Sequence, residues 1–312
     1  MNDLPYVVSG DIERLLKKWA IKHEFTLPDH SFFQALRERF AEYMRSVFPA
    51  FELVSEDELA TGLNELVRES SLPIVALDET YIDGSPMRLR LTRTVDEDLR
   101  DAGIASRFPE VKSPEGQIMH IASVLKKSGH RTIALVDDVI FSGALIDDVC
   151  FAFNYHGIDV KCVYAGIGIA QGVWQVSASG RSVQCVRSYK HVIDQICERD
   201  FYPGVPLSGR TLYALRSNGR SVGVPYFYRS DKLEKWASIP SHLRNELSRM
   251  CISQTIDLFE AIGDMSGRPV RANDLDRYML RSPLFWKEKD VFVDELLREN
   301  ERDPDDCSYL TT

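Results

Sequence analysis

Ile133-Ala134-Leu135-Val136-Asp137-Asp138-Val139-Ile140-Phe141-Ser142-Gly143-Ala144-Leu145-Ile146 runs from an unbroken apolar segment into two adjacent acids, a Ser-Gly pair and a new helical segment. Ile133 to Val136 is apolar without alternation, as expected of a parallel strand buried on both faces. Ala144 to Tyr155 reads as a helix stopped by Gly157, and Ile158 to Ile167 as a second apolar strand. Upstream, Gln117 to Lys127 places Ile118, Ile121 and Leu125 on one helical face, with Gly129 as its stop. Helices and strands that alternate over short connections predict a parallel α/β sheet. In such sheets ligands bind beyond the carboxyl ends of the strands. A turn that opens a helix offers unpaired N–H groups to a phosphate. Ser142 adds a hydroxyl, and Gly143 allows close backbone approach. The acids would repel phosphate but can accept hydrogen bonds from sugar hydroxyls. One loop can thus hold a ribose 5-phosphate at both ends.

Two alternatives fit parts of this pattern. An apolar run ending in Asp-Asp could be a Walker B strand, but the chain has no G-x-x-x-x-G-K-[ST] loop. An ordinary strand-turn-helix with an acidic N-cap is the simpler structural alternative. The Ser-Gly pair placed after the acids favours the sugar phosphate.

The segment resembles the PRPP-binding motif of type I phosphoribosyltransferases, and its Val-Asp-Asp-Val-x-aromatic-hydroxyl-Gly form looks closest to the pyrimidine-type and regulatory members. The resemblance implies a mainly parallel α/β sheet of that kind, with helical N- and C-terminal additions. It implies that Asp137 and Asp138 are the catalytic pair, bound to ribose hydroxyls. Val139, Ile140, Phe141, Ser142, Gly143, Ala144 and Leu145 would wrap the 5-phosphate. The implied activity is transfer of the phosphoribosyl group to a nitrogenous base or related nucleophile, with release of pyrophosphate. Mg²⁺ would be carried by PRPP itself, with no direct protein ligand. The chain departs from the family in two places. Leu145 stands where a second hydroxyl is usual, and Phe141 where purine enzymes often have an acid. Both departures also fit a non-catalytic protein that senses PRPP or a nucleotide.

The rest of the site is expected around that loop. Family members bind pyrophosphate after an earlier strand, and Gly84, Ser85 and Arg88 in and beside the Asp83-Gly84-Ser85-Pro86 turn are the candidates. A plain hairpin turn is the alternative. The charged stretch from Arg93 to Glu115 lacks periodicity and suits a closing loop, with Arg100, Arg107 or Lys112 reaching phosphate. Gly166-Ile167-Gly168-Ile169-Ala170-Gln171-Gly172 is not a G-x-G-x-x-G fingerprint and lacks a following helix signal; a substrate-contacting loop is expected there. The Arg199–Arg210 segment packs aromatics, prolines and glycines between arginines. Phe201 and Tyr202 could stack a flat base and Arg210 grip an anion, or the segment could be a structural Ω-loop. Tyr226-Phe227-Tyr228 and Trp236 are expected in the core.

At 312 residues the chain allows two domains, or one with additions. The expected division is a helical segment 1–70, an α/β domain 71–230 and a helical segment 231–312. Ile12, Leu15, Leu16, Trp19 and Ala20 define a first helix, and Phe33, Leu36, Phe40, Tyr43 and Met44 a second. Ser55 followed by Glu58 starts a third. Pro73–Leu77 and Met87–Leu91 read as strands, and 168–230 as loops with short strands. Leu243–Met250, Thr255–Ile262, Asn273–Leu280 and Val291–Glu299 read as helices, followed by a frayed acidic tail.

The net charge of −9 disfavours a whole-protein role on nucleic acid or anionic lipid. Six cysteines without a C-x-x-C pair are expected to be reduced thiols of a cytoplasmic protein. The seven histidines show no zinc-site spacing. The first residues lack the pattern of a signal peptide, and no apolar run is long enough to span a membrane. The expected partners are PRPP and a small-molecule acceptor, with homodimerisation allowed by the resemblance.

Overall fold

The computed structural model describes residues 4–84, 87–107, 111–217, 220–226, 235–279 and 293. The structure is α/β. Its central sheet is fully parallel, in the order β3 (Ile74–Ala76), β6 (Thr132–Ile140), β7 (Asp159–Ile169), β8 (Ser182–Tyr189). The apolar run at 133–136 is explained by this sheet. Ile133 and Leu135 face a core shared with α4 (Pro114–Lys127) and α5 (Ala144–Tyr155). Ala134 and Val136 face the opposite core, where Leu59 and Leu63 of α3 (Glu56–Glu69) pack. With helices on both faces, every side chain of that run is driven to be apolar.

The region 168–230 holds more regular structure than its composition suggests. Residues Ala170–Ala178 form helix α6, which begins directly at the end of β7. Its helical pattern is weak because only Gly172 and Val176 are buried, while Trp174 is exposed. The charged stretch after Arg93 is structured as well. Leu91–Val95 (β4) and Asp101–Ser106 (β5) form an antiparallel pair. They join β10 (Arg210–Ser217) and β11 (Arg220–Val224) in a mixed sheet that ends on β12 (Tyr278–Met279). Met87–Leu91 is not a strand of its own: Arg88 makes only an isolated bridge to Ala76, and β4 begins at Leu91.

The three N-terminal helices form as their spacing predicts: α1 (Ile12–His23), α2 (His30–Val47) and α3. The Ser55 hydroxyl accepts the Glu58 N–H and caps α3. Two strands had no sequence signal. β1 (Tyr6–Ser9) pairs in parallel with β2 (Phe51–Val54) on one side and β9 (Asp194–Cys197) on the other, in the order β2-β1-β9. Four-residue strands are too short for a period, and the partner lies far along the chain. The expected helices at Leu243–Met250 and Thr255–Ile262 are one continuous helix, α7 (Arg244–Ser266). It packs Cys251, Ile252 and Phe259 into a core with Leu16, Trp19, Phe33 and Phe40. Asn273–Leu280 is not a helix: it holds a short 3₁₀ turn, Ala272–Asp274, and then β12. The helix expected at Val291–Glu299, Val293 apart, and the acidic tail lie outside the described residues, as do Phe227 and Tyr228. No described helix is long and apolar enough to cross a membrane.

Candidate functional site

A cavity of about 450 Å³ opens at the carboxyl end of the central sheet. Its floor is the motif segment. Asp137 and Asp138 lie within β6, which continues to Ile140 before the turn. Val139, Ile140, Phe141, Ser142, Gly143 and Leu145 line the cavity with them; Ala144 does not. The turn is made by Gly143, at φ +82°, the N-cap of α5. No side chain caps that helix conventionally, although the Ser142 hydroxyl accepts the Ala144 N–H at 3.4 Å. The first-turn N–H groups therefore face the same space as Ser142. Asp147, the acid of that first turn, is held by Arg181 (3.2 Å) and Gln175 (3.0 Å).

The side of Gly143 where a Cβ would sit is filled by protein. That atom would come 2.9 Å from the Gly172 carbonyl oxygen and 3.2 Å from Gln175 and Val176. Gly143 is thus required by helix α6, which underpins the loop, and not by close approach of a ligand. The Gly166–Gly172 segment, expected to contact substrate, is the end of β7 and the start of α6, and it does not line the cavity.

The two carboxylates differ in their surroundings. Asp137 is buried, and burial, followed by the neighbouring Asp138 charge, pushes its carboxyl well above the usual range. One of its oxygens accepts the Asp138 N–H at 3.0 Å. Asp138 accepts an Arg199 Nη2–H at 3.3 Å. Cys197 approaches the same oxygen at 3.8 Å, and burial pushes its thiol well up.

A second wall comes from the loop directly after β3, Leu77-Asp78-Glu79-Thr80. Asp78 accepts the N–H groups of Thr80, Tyr81 and Ile82 at 2.7–2.8 Å. Burial and the Asp138 charge raise its carboxyl to about 6. This loop stands where the Asp83–Pro86 turn was expected. Gly84 and Arg88 do not line the cavity, and Ser85 lies outside the described residues. Arg88 is spent on the Asp78 and Ile82 carbonyls, at 3.2 and 2.5 Å. Asp83 pairs with Arg14 at 2.8 Å. The sequence signal for this cavity-lining loop was available, because the apolar run of β3 ends directly on Asp78, as that of β6 ends on Asp137.

Arginines form the third wall. Of Arg100, Arg107 and Lys112, only Arg107 reaches the cavity, from the end of β5. Its Nε is buried without a hydrogen-bond partner among the described residues. Burial, and then repulsion from Arg199, lower its pKa. Arg277 nearby is lowered to about 10 by burial and by Arg107. Arg199 and Arg210 also line the space. Arg210 lies 4.6 Å from the Trp236 ring and 5.8 Å from the Tyr226 ring, a cation–π arrangement that steadies its guanidinium. Buried like charges that repel one another leave a place that favours an anion.

Phe201 and Tyr202 do not face the cavity. Phe201 packs on Phe40 in the core at 4.7 Å, and Tyr202 donates its hydroxyl to Gln254 at 2.8 Å. Neither can stack a base. Arg210 alone of that trio lines the cavity. Besides Phe141 of the motif segment, the aromatic residues that line it are Tyr226 and Trp236, both expected in the core. Trp236 is indeed packed in a core cluster, with one part left facing the space. Asp194, Gln195, Lys235 and Ser238 complete that end, and none carried a sequence signal. Among the described residues no group of three or more His, Cys, Asp or Glu side chains could hold a metal ion. The five described cysteines are free thiols.

No family model matches the chain, and no curated protein matches it. Among solved structures it is similar to UMP synthase from Leishmania donovani, at 12% identity and a TM-score of 0.27 over 44% of this chain. The match spans 28% of that longer chain. It is also similar to orotate phosphoribosyltransferase from Mycobacterium tuberculosis H37Rv in complex with 5-phospho-α-D-ribosyl 1-diphosphate (PRPP), at 13% identity and a TM-score of 0.24. That match covers 42% of this chain and 70% of the other. The same enzyme with inorganic phosphate matches at 14% identity, a TM-score of 0.24, and 42% and 68% coverage.

Proposed function

We propose that the cavity binds PRPP, or a related ribose 5-phosphate nucleotide, and that the protein transfers the phosphoribosyl group to a nitrogenous base or related nucleophile. The observation that carries this is the convergence of Asp137, Asp138, the Ser142 turn and three arginines on one cavity. Each part suits a different part of PRPP. The α5 N-terminus and Ser142 would take the 5-phosphate. Asp137 and Asp138 would accept the ribose hydroxyls. Arg107 and Arg199, with the 78–80 loop, would hold the pyrophosphate, whose negative charge relieves their mutual repulsion. Arg210, Tyr226 and Trp236 would form the acceptor end.

Attack at C1 breaks the bond to pyrophosphate and builds positive charge on the sugar. The protein's part would be to position the reactants and to neutralise charge on the leaving group. A Mg²⁺ ion, if carried by the pyrophosphate and sugar hydroxyls, would supply further charge neutralisation. The described donor set fits that arrangement better than a protein-held ion, since the nearby carboxylates are paired or raised in pKa.

A non-catalytic sensor is the second reading, favoured by Leu145, an apolar side chain lining the cavity where a second hydroxyl is usual in the family it resembles. Pyrophosphate release on incubation with PRPP, Mg²⁺ and a nucleobase panel separates the two. Release supports transfer; PRPP binding without release supports the sensor. Asp137→Asn with Asp138→Asn is expected to weaken PRPP binding in calorimetry by roughly 10- to 100-fold, for two lost charge-assisted contacts. Wild-type affinity in the double variant would remove the ribose assignment.

A further inference from the structure

We propose that Asp11, on the N-terminal segment, is a positioning residue for this cavity, acting through Arg199. The proposal rests on the ligand assignment above for its role, but its geometry is independent of that assignment.

Asp11 occupies the N-cap of α1, where an aspartate ordinarily accepts N–H groups of its own helix. It caps nothing there. Its carboxylate instead accepts the Arg199 backbone N–H at 2.8 Å and the Arg199 Nη1–H at 2.5 Å. The capping task passes to Glu198, whose Oε2 accepts the Asp11 and Ile12 N–H groups at 2.9 and 3.3 Å. Glu198 is itself fixed by Arg37 through two bonds, at 2.8 and 3.1 Å. Strands β1 and β9 end side by side at Ser9 and Cys197, so the residues that follow each strand cross over and hold the other.

This exchange has an energetic cost that α1 alone does not explain. Asp11 is fully buried, and burying a carboxylate is unfavourable unless a partner compensates. The compensation is Arg199, whose other end lines the cavity and donates to Asp138. An arginine side chain is long and would otherwise sample many rotamers. One bond from Asp11 fixes the Arg199 backbone and the other its Nη1, while Nη2 donates to Asp138 in a side chain that lines the cavity. The same helix grips the opposite wall. Lys18 donates to the Glu79 and Thr80 carbonyls at 2.9 and 3.0 Å, and Arg14 to Asp83 at 2.8 Å. Helix α1 thereby fixes two walls of the cavity.

Asp11→Asn keeps the volume and replaces one of the two oxygens that face Arg199 with an amide donor. It is expected to weaken binding of PRPP and of inorganic pyrophosphate roughly tenfold in calorimetry. Arg199→Gln should weaken both by at least as much. In the Arg199→Gln background, Asp11→Asn should add no further loss, because its effect on the ligand runs through its bond to the guanidinium and the backbone bond at 199 survives in both. A purely structural role predicts additive losses. A ligand-free measurement accompanies this: the ¹⁵Nε–H signal of Arg199, assigned by its absence from Arg199→Gln, should show a rigid side chain in wild type and a mobile one in Asp11→Asn. Unchanged affinity in Asp11→Asn, additive losses, or an equally rigid Arg199 in that variant would each overturn the proposal. If the wild type bound neither ligand, the function proposed above would fall, while the Arg199 signal would still decide whether Asp11 holds it.

Discussion

Gly143→Ala should destabilise the protein through packing against α6, not through a ligand. Two costs combine at this position. The residue sits at φ +82°, and a Cβ in left-handed backbone costs about 1–2 kcal/mol. The new atom would also meet the Gly172 carbonyl oxygen at 2.9 Å, with Gln175 and Val176 at 3.2 Å. The oxygen belongs to the helical backbone of α6 and cannot swing aside as a side-chain tip could, so overpacking adds about 1–3 kcal/mol. The total, roughly 2–5 kcal/mol, corresponds in a chain of 312 residues to a fall in Tm on the order of 3–8 °C. Gly129→Ala is the matched control. Its φ is +80°, yet nothing lies within 4 Å of a Cβ there, so it carries the backbone strain alone. Differential scanning calorimetry of both variants without ligand isolates the clash. If Gly143→Ala melts no lower than Gly129→Ala, the support of the loop by α6 is wrong, and the glycine must serve another purpose.

Burial raises Asp78 to about 6, so the folded protein keeps a proton that the unfolded chain releases near pH 4. Its contribution to stability is therefore fully present below about pH 4 and is lost as pH rises to about 6. The Tm of wild type relative to Asp78→Asn, which cannot titrate there, should fall across that window and level off above it; a rise would refute the sign. Phe201→Ala is expected to cost about 3–5 kcal/mol, as a fully buried ring packed on Phe40. Its affinity for PRPP, measured below its melting point, should stay within about twofold of wild type, since the ring touches no part of the cavity. A selective loss of binding with unchanged stability would return Phe201 to the site.

Much of the α/β framework was legible because its signals are local. The β6–α5–β7 order follows from apolar runs and glycine stops within a few dozen residues. Helices α1 to α3 follow from their apolar stripes and the Ser55 cap. What stayed hidden depended on partners far away in the chain. Tyr6–Ser9 is a strand only because Phe51–Val54 and Asp194–Cys197 lie on either side of it. Phe201 left its expected place for the same reason. It and Trp236 are both large aromatics of the core, and which of them also reaches the cavity is set by the walls around them. Asp11, which sits at the N-cap of α1, turned to Arg199 because β1 and β9 end together.

The sequence alone determined the turn at the floor of the cavity: strand, paired carboxylates, hydroxyl-glycine turn and helix follow one another, so their geometry is set by short-range backbone rules. Tertiary structure decided what surrounds that turn. The arginines at 107, 199 and 210, the Asp78 loop and the aromatic pair reach it from separate elements. Their convergence depends on the packing of whole sheets and helices, which no local pattern encodes.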